Sequence, residues 1–168
     1  AQAVDLWKAL VEKYPNSKDA PLARTQIAET LFRAHKYTEA IAAYRAIAAA
    51  EPRGPNAAMS QLRVAQAAFN SGDDGTAVKT ISELIVAFSS APEAADGLDI
   101  LEAVFDRSRG LDYKTSLRSI VSSLSNTPIG GEAQFRLARR AFEAKDWAAA
   151  AVEFQKFSVD YTNHKDLP

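Results

Sequence analysis

Few side chains in this sequence are suited to chemistry. Its 168 residues include two histidines, His35 and His164, and no cysteine. The lack of cysteine removes disulfides, thiolate nucleophiles and cysteine-held zinc together. Both histidines fall in stretches that read as turns, and neither has a carboxylate at ligand spacing, so both are expected to be solvated turn residues. SGDDG (Ser71 to Gly75) sets two aspartates among glycines but lacks the spaced ligands and closing glutamate of a calcium loop. Gly72 and Gly75 are expected instead to free the backbone at a tight turn between helices. PIGG (Pro128 to Gly131) has neither the lysine nor the spacing of a phosphate loop, and reads as the end of one helix and the start of the next. Arg136, Arg139 and Arg140 are expected to be surface charge. Nothing pairs a nucleophile with a base. The expectation is a protein that is not an enzyme, with no catalytic residues, cofactor or metal.

Composition narrows the partners. Twenty Lys and Arg stand against 21 Asp and Glu, for a net charge of -1. A nucleic-acid binder advertises a basic excess, because phosphate contacts are made by Lys and Arg. None is present here, so no nucleic-acid partner is expected. No basic run suits an anionic membrane surface, and the apolar runs fall far short of the ~20 residues of a membrane span. Direct membrane insertion of this segment is therefore not expected. The first residues, AQAVDLW, have neither the charged start nor the apolar core of a signal peptide. Any targeting segment is expected to have been removed or to lie upstream.

The elements that would position a binding surface are repeated. YPNSKDAP (Tyr14 to Pro21) returns as YTNHKDLP (Tyr161 to Pro168), five positions identical, 147 residues later. Between them, KYTEAIAAYRAIAAAEP (Lys36 to Pro52) sets Ala40, Ile41, Tyr44 and Ile47 at helical spacing. The pattern recurs from Asp73 to Phe88, from Asp112 to Pro128 and from Asp146 to Thr162, with steps of 34 to 39 residues. AVDLWKALVEKYP holds the same slots at the start, with Ala3, Trp7 and Leu10. Each later copy follows another amphipathic stretch. In three of them a small residue precedes its counterpart by 12 positions: Ala28 and Ala40, Ala65 and Ala77, Ala138 and Ala150. Small side chains let two antiparallel helices approach closely, where larger ones would overpack at about 1–3 kcal/mol each. The third copy has Val104 and Ser116 there and is serine-rich, either a hinge (approximately residues 92–128) or drift without consequence.

A helix pair recurring at this period, with this alanine spacing and a closing proline, resembles the tetratricopeptide repeat. The resemblance covers nearly the whole chain: a half repeat at 1–15, then repeats at about 20–52, 56–89, 92–128 and 130–162. It departs from the family in having Arg24, Gln61 and Gln134 at a usually bulky position, and alanine for the usual glycine. Units of this length joined by YPNS-type turns are closest in character to bacterial cell-envelope members, among them the Tol–Pal coordinating protein and the outer-membrane assembly lipoproteins. The resemblance implies an all-α fold, a right-handed superhelix of about nine helices. First helices would line the concave face, and second helices would carry Glu39, Arg45, Lys79 and Glu83 on a solvated outer face. The matching ends suggest a fragment of a longer protein.

Phe32, Phe69 and Phe142 occupy one equivalent position late in the first helices. The resemblance puts that position beside a concave groove that holds a peptide or helix, with Thr25, Glu29, Arg33, Leu62, Gln66, Asn70, Phe135, Arg139 and Glu143 around it. Aromatics there would anchor apolar side chains of a partner, or else pack between repeats. The expected function is a non-catalytic scaffold for a protein or peptide partner in bacterial envelope assembly or coordination. Its expected place is the periplasm or the outer membrane, with the cytoplasm as the alternative. Two other functional readings are the helical, non-catalytic part of an envelope enzyme, and a helical-repeat RNA binder, which the neutral charge disfavours.

Overall fold

The structure, a computed structural model, describes residues 2–108 and 112–162. His164 and most of the second octapeptide lie outside those residues. Among the described residues there are nine helices and no strand. The chain packs as two compact units, Ala1–Thr80 and Ile81–Pro168.

The first unit contains α1 (Gln2–Lys13), α2 (Ala20–Arg33), α3 (Tyr37–Ala50), α4 (Ala57–Ser71) and the first half of α5 (Asp74–Ala87). Ala28, Leu31, Ala40, Tyr44 and Val64 form a buried cluster, with Ile27, Phe32, Ile41, Ala43 and Ile47 packed against it. The alanines spaced 12 apart, Ala28 with Ala40 and Ala65 with Ala77, have no exposed surface. The polar residues Glu39, Arg45 and Lys79 are exposed.

The helix-to-helix turns share one backbone device. After α2, the amide of His35 donates to Phe32 O (3.0 Å) and that of Lys36 to Leu31 O (3.0 Å). After α4, Gly72 donates to Phe69 O (3.1 Å) and Asp73 to Ala68 O (2.9 Å). These paired bonds close a helix through one residue in the left-handed region. His35 has φ 57°, Gly72 φ 83° and, in the second unit, Lys145 φ 60°. Gly72 alone has the residue type the conformation favours. Gly75, expected to serve the turn too, lies instead within α5, and Gly72 is the only glycine with positive φ among the described residues. Lys145→Gly should therefore raise stability by about 0.5–1 kcal/mol, the left-handed strain of a side chain less the extra chain entropy of glycine. A urea-midpoint shift would read it. His35→Gly should gain less, because it also removes the bond between His35 Nδ1 and the Tyr37 hydroxyl (2.6 Å).

The second unit holds the rest of α5, then α6 (Pro92–Arg107), α7 (Tyr113–Ser123), α8 (Pro128–Glu143) and α9 (Trp147–Asp160). Its core is aliphatic: Ile81, Leu84, Ile85, Leu98, Leu101, Val104 and Leu117 are fully buried. Ala138 and Ala150, the small pair of the last repeat, are both buried. The third repeat lacks that pair; its Gly97, on α6, lies instead close to α5, where a Cβ would stand 3.4 Å from Ile81 and Leu84. Asp112, Thr127 and Asp146 cap α7, α8 and α9, accepting from the amides of Thr115 (3.1 Å), Gly130 (3.2 Å) and Ala149 (3.1 Å). PIGG is the first turn of α8.

Candidate functional site

In the first unit the candidate residues lie on α2 and α4. The Thr25 hydroxyl donates back to Pro21 O (3.1 Å). Glu29 is spent within the protein: it accepts from the Tyr44 hydroxyl (2.7 Å) and from Arg63 Nε (3.0 Å). Arg63 also donates to Gln66 Oε1 (2.8 Å) and sets its guanidinium 5.5 Å from the Phe32 ring centre. Burial pushes the Tyr44 hydroxyl pKa well up, and the neighbouring Glu29 carboxylate pushes it further. Phe32 is half-buried, edge-on to Tyr37 at 5.8 Å. Phe69 is also half-buried, while Arg33 and Asn70 are exposed. Leu62 departs from its expected place beside the groove. At 3% exposure it belongs to the interior, where an apolar side chain on the inner stripe of α4 gains most.

In the second unit the candidates lie on α8. Phe135 is half-buried, its ring 6.1 Å from Phe154 and 5.3 Å from Phe157 on α9. Phe142 is 55% exposed and meets Trp147 edge-on at 5.2 Å. Glu143 is exposed beside it. Arg139 donates to both oxygens of Glu102 (2.8 and 2.9 Å) and lies 3.5 Å from Glu143.

Of the arginines expected as surface charge, Arg136 is placed otherwise, while Arg139 and Arg140 keep 41% and 32% of their side chains exposed. Arg136 is only 7% exposed. Its guanidinium bonds Asp99 (2.5 Å), Glu102 (3.0 Å) and Glu132 (3.0 Å), and Arg140 bonds Glu102 (2.9 Å) and Asp106 (2.6 Å). Burial disfavours the Arg136 charge, but the Asp99 hydrogen bond and the surrounding carboxylates outweigh it and hold its pKa above the ordinary value. Burial, then Glu102, pushes the Tyr113 hydroxyl to about 12. Glu153 on α9 is buried too; burial raises its pKa, but bonds from Gln134, Arg118 and Lys156 outweigh that and hold it low. Sequence reasoning missed these groups, although a signal existed. Arg63 lies 34 residues after Glu29, and Arg136 lies 34 after Glu102, one repeat in each case.

One contrast runs through the set. Leu31, Ala68 and Ala141 are buried, yet the phenylalanine that follows each of them keeps accessible surface. Away from these residues, a cavity of ≈ 700 Å³ in the second unit opens between Ser89–Pro92, Asn126–Ile129 and Asp160–Thr162, and no candidate residue lines it. Among the described residues no trio of His, Asp or Glu is grouped to hold a metal, and no helix is long and apolar enough to cross a membrane.

No curated protein matches the chain. The sequence model of the tetratricopeptide repeat family matches residues 25–92, which span α2 to α5. Paired helices, buried alanines 12 residues apart and that match together identify an all-α, helical-repeat chain that carries tetratricopeptide repeats over residues 25–92.

Proposed function

We propose that the protein is a non-catalytic scaffold that holds a peptide or protein segment against its first helices, in bacterial envelope assembly or coordination. Tetratricopeptide repeats are protein–protein interaction modules, and the family match supports a protein partner. The observation that carries the groove reading is the accessible surface of Phe32, Phe69 and Phe142 beside buried neighbours. A residue serving only the core would be covered as those neighbours are. Aromatic side chains that stay accessible supply large contact area at small entropic cost, the usual source of binding energy. Glu29, Gln66 and Arg139, already bonded internally, then shape and stiffen the surface rather than lead recognition. The envelope assignment rests on the unit length and the YPNS-type turns, and supports a periplasmic or outer-membrane-associated place.

Selection from a displayed peptide library tests the groove, with the parent and the Phe69→Ala/Phe142→Ala variant as paired targets. Peptides selected on the parent should bind the variant at least about tenfold more weakly, a modest demand on two aromatic anchors. The variant should keep its helicity by circular dichroism. Equal binding by parent and variant would remove the groove reading, and a variant that melts far below the parent would make these rings core. Detection of the native protein in the cytoplasmic fraction of its source cell would remove the envelope assignment.

A further inference from the structure

The third repeat holds a fourth phenylalanine at the position of Phe32, and the ion pairs locate it. In the first unit Glu29 accepts from Arg63 (3.0 Å), 34 residues on, and Phe32 follows Glu29 by three residues. In the second unit Glu102 accepts from Arg136 (3.0 Å), also 34 residues on, and Phe105 follows Glu102 by three. Phe69 and Phe142 likewise stand three residues after Gln66 and Arg139. Two further observations set Phe105 with them. Val104 is fully buried and Phe105 only half-buried, the same contrast as at Leu31 and Phe32. Phe105 also lies edge-on to Tyr113, the first residue of α7, at 5.0 Å. Phe32 meets Tyr37, the first of α3, at 5.8 Å, and Phe142 meets Trp147, the first of α9, at 5.2 Å. This register moves the place of the small pair in the third repeat from Val104 and Ser116 to Leu101 and Tyr113, so no alanine marks that repeat in the sequence. Phe105 is not at the end of the array. α8 follows it and bonds α6 through Arg136, yet the ring keeps accessible surface.

The residue after each ring carries the charge that a partner meets. On α2 it is Arg33, but on α6 it is Asp106. The Asp106 side chain is 60% exposed although it accepts from Arg140 (2.6 Å), and a carboxylate with one such bond keeps further acceptor sites. Asp99, on the same helix, is 68% exposed. The arginines of α8 that bond this face of α6 are more withdrawn: Arg136, Arg139 and Arg140 keep 8%, 41% and 32%. Solvent at this place therefore meets carboxylates more than guanidiniums, which favours a cationic partner. We propose that Phe105 and Asp106 form a subsite within the second unit that takes an apolar side chain of a partner peptide on the ring and a neighbouring lysine or arginine at the carboxylate. The inference rests on the groove reading above and adds to it a residue and the charge of the partner.

The probe is the displayed peptide library, selected on the full chain. Selected peptides should carry lysine or arginine beside an apolar residue more often than the unselected library does, and their binding should weaken as salt rises. They should bind Asp106→Lys at least about tenfold more weakly than the parent, with Asp106→Asn in between. Asp106 is exposed, so the Asp106→Lys chain should keep the helicity of the parent. Phe105→Ala should weaken binding by a similar factor, and Phe105→Leu, which keeps apolar volume next to Tyr113, should show whether the loss follows the aromatic ring or the fold. Equal binding by Asp106→Lys, or selected peptides with no basic bias, would overturn the inference. So would full binding by Phe105→Ala. If those same peptides are still lost on Phe69→Ala/Phe142→Ala, the groove reading survives the failure of this subsite. Peptides that neither set of variants weakens would remove both.

Discussion

Gly130→Ala is expected to loosen α7, α8 and α9 by about 3 kcal/mol, the upper end of overpacking costs. A Cβ at Gly130 would lie 2.2 Å from the carbonyl oxygen of Leu124 and 2.9 Å from its carbon, with the Tyr161 hydroxyl at 3.2 Å. The obstacle is backbone, not the tip of a flexible side chain, so relief requires the end of α7 to move. That carbonyl also accepts from the Thr127 amide (3.1 Å) and the Thr127 hydroxyl (2.6 Å), and Thr127 in turn caps α8 through the Gly130 amide. Any shift therefore loosens the cap along with the clash. The φ of Gly130 is not in the left-handed region, so the penalty is steric alone. Gly75→Ala is the control. It places a Cβ in a helix with nothing closer than Asp73 Oδ1 at 3.7 Å, and should stabilise by about 0.5 kcal/mol. The measurement is amide hydrogen exchange, which reads opening element by element where a single melting point would not. Protection across α7 to α9 should fall by about two orders of magnitude in Gly130→Ala. An unchanged pattern would mean that the turn between α7 and α8 is soft enough to give way.

The contrast between these two glycines explains what the sequence could reveal. Alanines spaced by 12, such as Ala65 and Ala77, are legible because each is fixed by a local rule, helical period plus close approach, and repetition multiplies the signal. The caps at Asp73, Asp112 and Asp146 are legible for the same reason, since the bonds they make span only three residues. Gly75 and Gly130 look alike in sequence, each following a turn. Only a contact with a carbonyl six residues away separates them. The site was harder still. Phe32, Phe69 and Phe142 share one repeat position, but their cover differs with what packs against each: Arg63 lies over Phe32, and Phe142 is open. Leu62 and Phe135 share another, and one is interior while the other leans on α9. Repeat position sets direction, but the neighbouring repeat sets exposure. Arg136 was misread because a charged triplet on a helix is ordinarily solvated. Its burial depends on Asp99, Glu102 and Glu132, two of which lie one repeat upstream.

Arg136→Ala is the second large effect, and comparison with Arg63→Ala gives it meaning. Arg136 keeps 8% of its side chain exposed, and Glu102 and Glu132 keep 16% each. Removing the guanidinium leaves two largely desolvated carboxylates short of a partner, a more serious loss than the pair itself. Glu102 keeps Arg139 and Arg140, and Asp99 is exposed enough to be solvated, so the loss should be nearer 2–3 kcal/mol than the full cost of about 3–5 for breaking a buried pair. Arg63 and Glu29 are more exposed, 31% and 21%, and Glu29 keeps the Tyr44 hydroxyl. Arg63→Ala should cost only about 1 kcal/mol. Arg136→Met combined with Glu132→Gln should recover part of the loss, because it removes one of the carboxylates that Arg136 neutralises and fills the space with apolar volume. Urea unfolding followed by exchange in α6 and α8 orders the three. If Arg136→Ala and Arg63→Ala cost the same, the two pairs act as surface ion pairs. If the Met/Gln double variant is no better than Arg136→Ala, the guanidinium acts by joining α6 to α8 through bonds that no apolar side chain replaces.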